Sequence, residues 1–590
     1  MSEKTKNLTT ILSEMPLQNC TKPSLEQARP WMEDSYFDPQ TRTEVKKLCN
    51  TPSELESAFF TELKFGTGGL RGIMGVGTSR LNIYTIRKAT QGLANYLKKH
   101  GDPAQGVVIG FDSRENSELF AHETARILLG NQIRVHLCPF LRPTPFISFA
   151  CRHLKAAAAI MITASHNPKE YNGYKVYWSD GAQIVAPHDI GIIEEIEKIP
   201  SYSAVQLADL SSPLLSWIDE DLDDVYLKTL SSHPIFSSAT KKELKVCYSS
   251  LHGTGITLLP KALQKCGFSE PLLVQSQCKI DGSFPSVSSP NPESPAALDE
   301  GIDLLMNSNS DLLLVTDPDA DRLGVVINHL GTPITLNGHQ LAALGTFYLC
   351  DTLSKKQLLS PKSGIVTTIV TTPLVDKIAS AYQVKTTRVL TGFKYIGEKI
   401  REWEIKDQAF LFGAEESFGY LIGTSCRDKD GIASACLFAE IAADLKAQGK
   451  TLLDLLHDIY RHFGVYQEKA LSLDVSNGKE GLNAICHLMK ELRDHPPSIL
   501  GDQTIIQTLD YLQKTSSLPR ADVLEWTLED GSTLIIRPSG TEPKLKAYLS
   551  IYRSPSASVA LSINECQTSL DKLSQILESY LRSLLQLQKV

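Results

Sequence analysis

Three times along this chain a short apolar run ends in a polar loop and an amphipathic helix follows. "GVVIGFD" (106–112) precedes "SELFAHETARILLGNQ", and "LKVCYSSLHGTG" (244–255) precedes "ITLLPKALQKCG". "SGIVTTIV" (363–370) precedes "PLVDKIASAYQ". Buried strands followed by helices build parallel sheets covered on both faces, so the rhythm predicts three related α/β domains. The last part differs. "ADVLEWTLEDGSTLIIRPSG" (521–540) alternates around a turn, "KLKAYLSIYR" extends it, and a long amphipathic helix closes the chain. That pattern predicts an α+β domain. The expected divisions are an N-terminal arm over 1–50 and domains over 51–213, 214–330, 331–463 and 464–590. A chain of 590 residues is too long for one core, which agrees with several domains.

The composition excludes several classes. A net charge of -8 argues against an electrostatic nucleic-acid binder but leaves room for a local basic pocket. Twelve cysteines occur without C-x-x-C pairs or Cys/His clusters, as in a reducing compartment. No run of about 18 apolar residues and no signal-peptide pattern is present, so a cytoplasmic protein without membrane contact is expected.

Four short loops carry the chemistry, one in each expected domain. "TASHNPKEYNGYK" (163–175) puts Ser165 and His166 at a strand end, with Lys175 ten residues on. Ser, Asn and Pro also favour a plain turn, and the absence of G-x-S-x-G argues against a hydrolase elbow. "DLLLVTDPDADRLGVVI" (311–327) spaces Asp317, Asp319 and Asp321 two apart between apolar runs. Converging carboxylates suit a hard cation, Mg²⁺ or Ca²⁺. An EF-hand fails, because Arg322 stands at the sixth loop position and Asn328 at the twelfth. "LFGAEESFGYLIGTS" (411–425) offers Glu415, Glu416 and Ser417, acceptors suited to sugar hydroxyls or to a solvated turn. "IIRPSGTEPK" (535–544) joins Arg537, Ser539, Gly540, Thr541 and Lys544 into a cradle for phosphate. "GKT" (449–451) is not a Walker loop, since Asp444 occupies the place of its first glycine. A serine, a cation site, a hydroxyl reader and a separate phosphate holder are together the parts of phosphoryl transfer.

"TASHNP", "DPDADR", "GAEESFG" and "RPSGTEP" occur in the order seen in the α-D-phosphohexomutase superfamily, and the chain resembles its long phosphoglucomutase/phosphomannomutase branch from about Phe65 to about Ser550. The resemblance implies four domains around a central cleft. It makes Ser165 the phosphorylated residue and Asp317, Asp319 and Asp321 the Mg²⁺ ligands, with the Ser165 phosphate as a further ligand. Arg322 is placed near the transferring phosphate. Arg71, in "TGGLRG", and Lys175 match positions for proton transfer and charge stabilisation, with His166 their neighbour. Glu415 and Ser417 match sugar-reading positions, and Arg537, Ser539, Gly540 and Thr541 match the distal phosphate loop. Lys394 matches a substrate-contacting lysine of some branches, whereas others have a His where this chain has Phe393. The implied reaction interconverts hexose 1-phosphate and hexose 6-phosphate, of glucose or mannose, through a phosphoserine. Glucose 1,6-bisphosphate is the implied intermediate and activator. The implied partners are small sugar phosphates. Phosphopentomutases and glucose 1,6-bisphosphate synthases share "DPDADR" and are the alternatives within the superfamily. A metal-dependent sugar phosphatase is the alternative enzyme class.

Overall fold

The computed structural model describes residues 22–66, 68–237, 241–475, 479–513, 518–539, 544–556 and 558–587. Four sheets follow one another along the chain. The first contains β1 (Gly69–Ile73), β2 (Val107–Phe111), β3 (Val135–Leu137), β4 (Ala158–Ile162), β5 (Tyr171–Trp178) and β6 (Leu215–Trp217), in the order β1-β5-β4-β2-β3-β6. The second contains β7 (Val246–Ser249), β8 (Leu272–Leu273), β9 (Leu312–Thr316), β10 (Leu323–His329) and β11 (Thr332–Leu336), in the order β11-β10-β9-β7-β8. The third contains β12 (Ser363–Thr368), β13 (Lys385–Val389), β14 (Ala409–Glu415) and β15 (Gly419–Ile422), in the order β13-β12-β14-β15.

These three sheets share one device. β4, β9 and β14 each pair in parallel with one neighbour and antiparallel with the strand that follows them, β5, β10 and β15. All five residues of β4 and of β9 are buried, as the continuous apolar runs require. Each strand then leaves the core and returns through a tight loop. Those loops are the serine, aspartate and glutamate loops. One place in the sheet therefore presents a chemical loop in each of three domains, at the carboxyl end of a central strand.

The fourth sheet is wholly antiparallel. It contains β16 (Val465–Asp474), β17 (Ile499–Leu500), β18 (Gln503–Asp510), β19 (Leu524–Leu528), β20 (Thr533–Pro538) and β21 (Lys544–Arg553), in the order β16-β21-β20-β19-β18-β17. The alternating burial of β19 and β21 shows a sheet with one face in the core, and the helix Val559–Leu587 packs on β16 and β21. Three α/β domains and a C-terminal α+β domain thus make up the fold.

Two sheets reach past the divisions expected at 213 and 330. β6 pairs with β3 beyond residue 213, and the β10–β11 hairpin straddles residue 330. Both are edge strands with mixed burial, so their patterns carry little periodicity. The N-terminal stretch also differs from a plain arm. Lys22–Glu33, Pro39–Leu48 and Pro52–Phe59 are helices. They enclose Trp31, whose ring stacks on Phe37 at 4.5 Å and meets Tyr84 and Tyr202 edge-on at 5.4 and 5.3 Å. Tyr84 belongs to the helix Ile83–His100, so these helices dock on the first domain.

The first three domains are tied by buried polar contacts. Arg142 makes a bidentate pair with Asp223 at 2.9 Å for each bond. The Tyr177 and Tyr226 hydroxyls donate to Asp428 and Asp430, and Ser148 Oγ accepts from the Arg427 amide at 2.8 Å. No described helix is long and apolar enough to cross a membrane.

Trp31 is 1% exposed and joins elements from three stretches of chain. Trp31→Ala should cost the N-terminal helices about 3–5 kcal/mol of docking stability. Hydrogen exchange should show faster exchange in residues 22–59, with the sheet strands unchanged.

Candidate active site

The serine loop is held in an unusual conformation. Ser165 has φ 53°, in the left-handed region that side chains other than glycine rarely occupy. Its amide donates to Thr163 Oγ1 at 2.8 Å. Its hydroxyl donates to Asp317 Oδ2 at 2.6 Å and lies 3.2 Å from His166 Nδ1. The loop joining β4 to β5 therefore meets the loop joining β9 to β10 through the serine itself.

Asp317, Asp319 and Asp321 are all buried, and each offers a carboxylate oxygen within 4.8 Å of the other two. Ala320 between the last two has φ 52°, which tightens the turn. Thr144, at the start of the helix Thr144–His153, donates its hydroxyl to Asp319 Oδ2 at 2.7 Å and its amide to Asp319 O at 2.8 Å. Lys175 reaches from β5 to Asp319 Oδ2 at 2.7 Å and to Asp321 Oδ2 at 2.9 Å. Lys429 adds a second ammonium 3.3 Å from Asp321 Oδ2. Burial and the neighbouring carboxylates Asp319 and Asp321 raise the Asp317 carboxyl well above its usual range. Burial acts in the same sense on Asp321, but Lys175, Lys429 and Arg322 outweigh it and hold that group below the usual range. Asp319 Oδ1 and Asp321 Oδ1 remain buried without a hydrogen-bond partner. Two carboxylate oxygens free of hydrogen bonds, beside a serine hydroxyl, form a donor set that fits a hard divalent cation.

Arg322 leaves the same loop. Its amide donates to Asp317 Oδ1 at 3.1 Å and its guanidinium to Glu293 Oε1 at 2.5 Å. Arg71 is exposed on β1 and donates to Asn167 Oδ1 at 3.2 Å, beside the serine turn. The glutamate loop joins the aspartate loop through an antiparallel bridge between Arg322 and Gly419, and the Leu323 amide donates to Phe418 O at 3.0 Å. Burial pushes the Glu415 carboxyl up to about 7; Lys429 counters this and Glu416 adds to it. Glu416 accepts from Thr368 Oγ1 at 3.1 Å, and Ser417 is half-buried beside it.

Arg537 lies at the end of β20. It donates to the Tyr548 hydroxyl at 2.8 Å and stacks over that ring at 5.5 Å, while its buried Nε has no partner. Burial raises the Glu416 carboxyl above its usual range, and the Arg537 charge opposes this only in part. The Ser539 amide donates to Lys544 O at 2.8 Å. Gly540 and Thr541 lie outside the described residues. Lys394 is the second residue of the helix Phe393–Ile405, with its ammonium 4.7 Å from the centre of the Tyr395 ring; burial lowers its basicity. Among the described residues, no hydrogen bond or ion pair joins Lys394 to Asp317, Asp319 or Asp321.

The structure thus gathers Ser165, His166, Lys175, Arg322 and the three aspartates into one cluster, with Glu415 against it through Lys429. Sequence reasoning missed Lys429, Thr144 and Glu293. "CRDKDG" (426–431) held the clue to the first, a lysine between two aspartates in a glycine-ended loop. Thr144 and Glu293 had no local mark, because their partners lie 175 and 29 residues away.

Three family models match in chain order. They are phosphoglucomutase/phosphomannomutase alpha/beta/alpha domain I over 62–203, domain II over 224–331 and domain III over 337–463. A phosphoglucomutase of Staphylococcus haemolyticus is 38% identical over 534 residues, covering 88% of this chain and 93% of that protein. One from Staphylococcus aureus is 36% identical over 538 residues, covering 88% and 95%. In three dimensions the fold matches parafusin, a Paramecium phosphoglucomutase in its open form. The TM-score is 0.67 at 18% identity, over 88% of this chain and 96% of that one. A Burkholderia thailandensis protein of the phosphoglucomutase/phosphomannomutase family gives a TM-score of 0.63 at 19% identity, over 86% and 97%. Kinship along nearly the whole length agrees with the loops that the sheets present: this chain belongs to the phosphoglucomutase/phosphomannomutase family of α-D-phosphohexomutases.

Proposed function

We propose that the protein is a phosphohexomutase that interconverts glucose 1-phosphate and glucose 6-phosphate, with Ser165 as the phosphoryl carrier. The observation that carries this reading is the Ser165 hydroxyl 2.6 Å from Asp317, inside a buried carboxylate cluster that retains two oxygens free of hydrogen bonds. Relatives named phosphoglucomutase over most of the chain support the choice of sugar.

Asp317, Asp319 and Asp321 would hold Mg²⁺, with an oxygen of phosphorylated Ser165 completing the set. When bound, the cation neutralises the transferring phosphoryl group as its charge moves between oxygens. The residues of the chain do the rest. The hydroxyl of a sugar monophosphate attacks phosphorylated Ser165, its O–P bond forms, and the Ser165 O–P bond breaks. Lys175 stays charged, because Asp319 and Asp321 overcome the burial that opposes its charge. It thereby keeps the carboxylates from repelling the dianion. His166 is kept neutral by burial, with Arg322 and Arg71 adding, so its ring can take or return the proton in transit at Ser165. Arg322 exchanges Glu293 for a phosphate oxygen. Glu415 and Ser417 read sugar hydroxyls, Lys394 adds charge at the cleft wall, and Arg537 with the loop at 539–541 holds the phosphate that is not reacting. The glucose 1,6-bisphosphate so formed turns end for end, and its other phosphate returns to Ser165. One serine and one cradle require that turn, since each end of the sugar visits each site.

Ser165→Ala should abolish mutase activity without loss of fold. Intact-mass measurement and peptide mapping of the wild type should show phosphate on Ser165. Unmodified serine after treatment with glucose 1,6-bisphosphate would remove the basis of the reading.

Asp319→Ala should lose divalent-cation affinity and activity together, as read by titration with Mn²⁺. An unchanged affinity would show that the cation sits elsewhere.

Arg537→Ala should raise KM for glucose 1-phosphate strongly and lower kcat less, because the contact is present in ground and transition states alike. Lysine there should restore part of the loss, since it has the charge without the fork. Steady-state kinetics of the two variants decides the point, and an unchanged KM would free Arg537 of this role.

A further inference from the structure

Arg114 lies behind the serine turn, 3% exposed, and meets that turn through backbone carbonyls. It follows β2 in "FDSRENS", and its backbone amide donates to Asp112 Oδ1 at 3.0 Å. Its guanidinium donates to four backbone carbonyls of one loop. Nη2 reaches Ser165 O at 2.6 Å and Asn167 O at 2.5 Å. Nη1 reaches Pro168 O and Tyr171 O, each at 2.9 Å. Of the carbonyls that Arg114 leaves out, His166 O accepts from Ser289 Oγ of the second domain at 3.1 Å.

We infer that Arg114 is a positioning residue for the serine turn: by drawing the carbonyls of Ser165, Asn167, Pro168 and Tyr171 onto one guanidinium, it sets where Ser165 Oγ stands in the cleft. The inference rests on Ser165 being the phosphoryl carrier.

Three features make the clamp rigid. A turn that leaves the sheet has carbonyls with no ladder partner, and burial makes each one costly to leave unmet. Only a guanidinium carries enough donors in one plane to meet four of them; an ammonium has three and no fixed plane. The clamp is itself held on two sides. Asp112 Oδ2 lies 3.4 Å from Arg114 Nε, and the Phe284 ring of the second domain faces the guanidinium at 5.0 Å. The second domain presses close here: a Cβ on Gly282 would come within 2.6 Å of Glu115 N and Ser113 O. The left-handed Ser165 needs such support, since nothing in its own side chain favours that conformation.

The consequence is for transfer rather than for binding. Forming phosphorylated Ser165 from glucose 1,6-bisphosphate makes the serine O–P bond, breaks a sugar O–P bond and passes the serine proton to the departing sugar oxygen. That exchange is in line and sensitive to the position of the serine oxygen. A shift of about 1 Å costs such a step about 100-fold. Sugar and distal phosphate are read by the other loops, so affinity should change little.

The test uses the full chain, dephosphorylated, mixed with glucose 1,6-bisphosphate and followed by intact mass in single turnover. Arg114→Lys keeps charge and approximate length. It should phosphorylate Ser165 about 100-fold more slowly. Its affinity for glucose 1-phosphate and for Mn²⁺ should stay within about 3-fold, a smaller change than the effect sought. Asp112→Asn is isosteric and loosens the same guanidinium, so it should show a smaller loss of the same kind, and it serves if Arg114→Lys does not fold. A wild-type rate in Arg114→Lys overturns the inference, as does a loss of affinity equal to the loss of rate. If Arg114→Lys does not fold, a wild-type rate in Asp112→Asn overturns it. A wild-type protein that never takes phosphate on Ser165 would instead remove the phosphoserine reading, and this inference with it.

Discussion

Three carboxylates buried within 4.8 Å of one another are the constraint around which this protein is arranged. Like charges in a low dielectric repel strongly, and such a cluster is stable only where cations meet it. Lys175 comes from the first domain and Lys429 from the third, and both converge on an aspartate loop that belongs to the second. Ser165 and Thr144 complete the circle from the first. Electrostatic compensation of one loop therefore fixes how three domains sit together. The buried Arg142–Asp223 pair joins the first two domains, and Tyr177–Asp428 and Tyr226–Asp430 hold the 426–430 stretch that presents Lys429.

The fourth domain is attached differently. It enters through Gly464, whose φ of 93° suits glycine, and a Cβ there would come within 2.7 Å of Arg553 O. It meets the third domain through apolar packing: Leu456, Ile459 and Tyr460 share one continuous core with Val465, Leu549 and Leu577, and a small cluster joins Ile369, Val370 and Leu390 to Tyr511, Val523 and Ile535.

Much of this was legible in the chain itself. Asp317, Asp319 and Asp321 announce themselves because alternate residues of one loop must share a place, whatever the rest of the fold does. β2, β7 and β12 were legible because strands buried on both faces read as unbroken apolar runs. Edge strands β6 and β11 were not, since half-exposed short strands have no run to show. The helices over 22–59 escaped for another reason: their apolar faces close on Tyr84 and Tyr202, partners that no local periodicity reveals. Arg114 was invisible for the same cause, and Lys429 showed no more than its two flanking aspartates. A lysine or arginine is read as solvated until the fold brings a carboxylate or four carbonyls to it.

The packing of Trp31 against Tyr84 and Tyr202 has a temporal side. During synthesis the residues that will form the first three helices leave the ribosome well before their partners. Helix and sheet cores of the first domain can begin to assemble once β2 to β5 are out. Trp31 and Phe37 remain open to water, or to a chaperone, until residue 202 has followed. The earliest described part of the chain is in this sense finished only after strands β1 to β5 have been made.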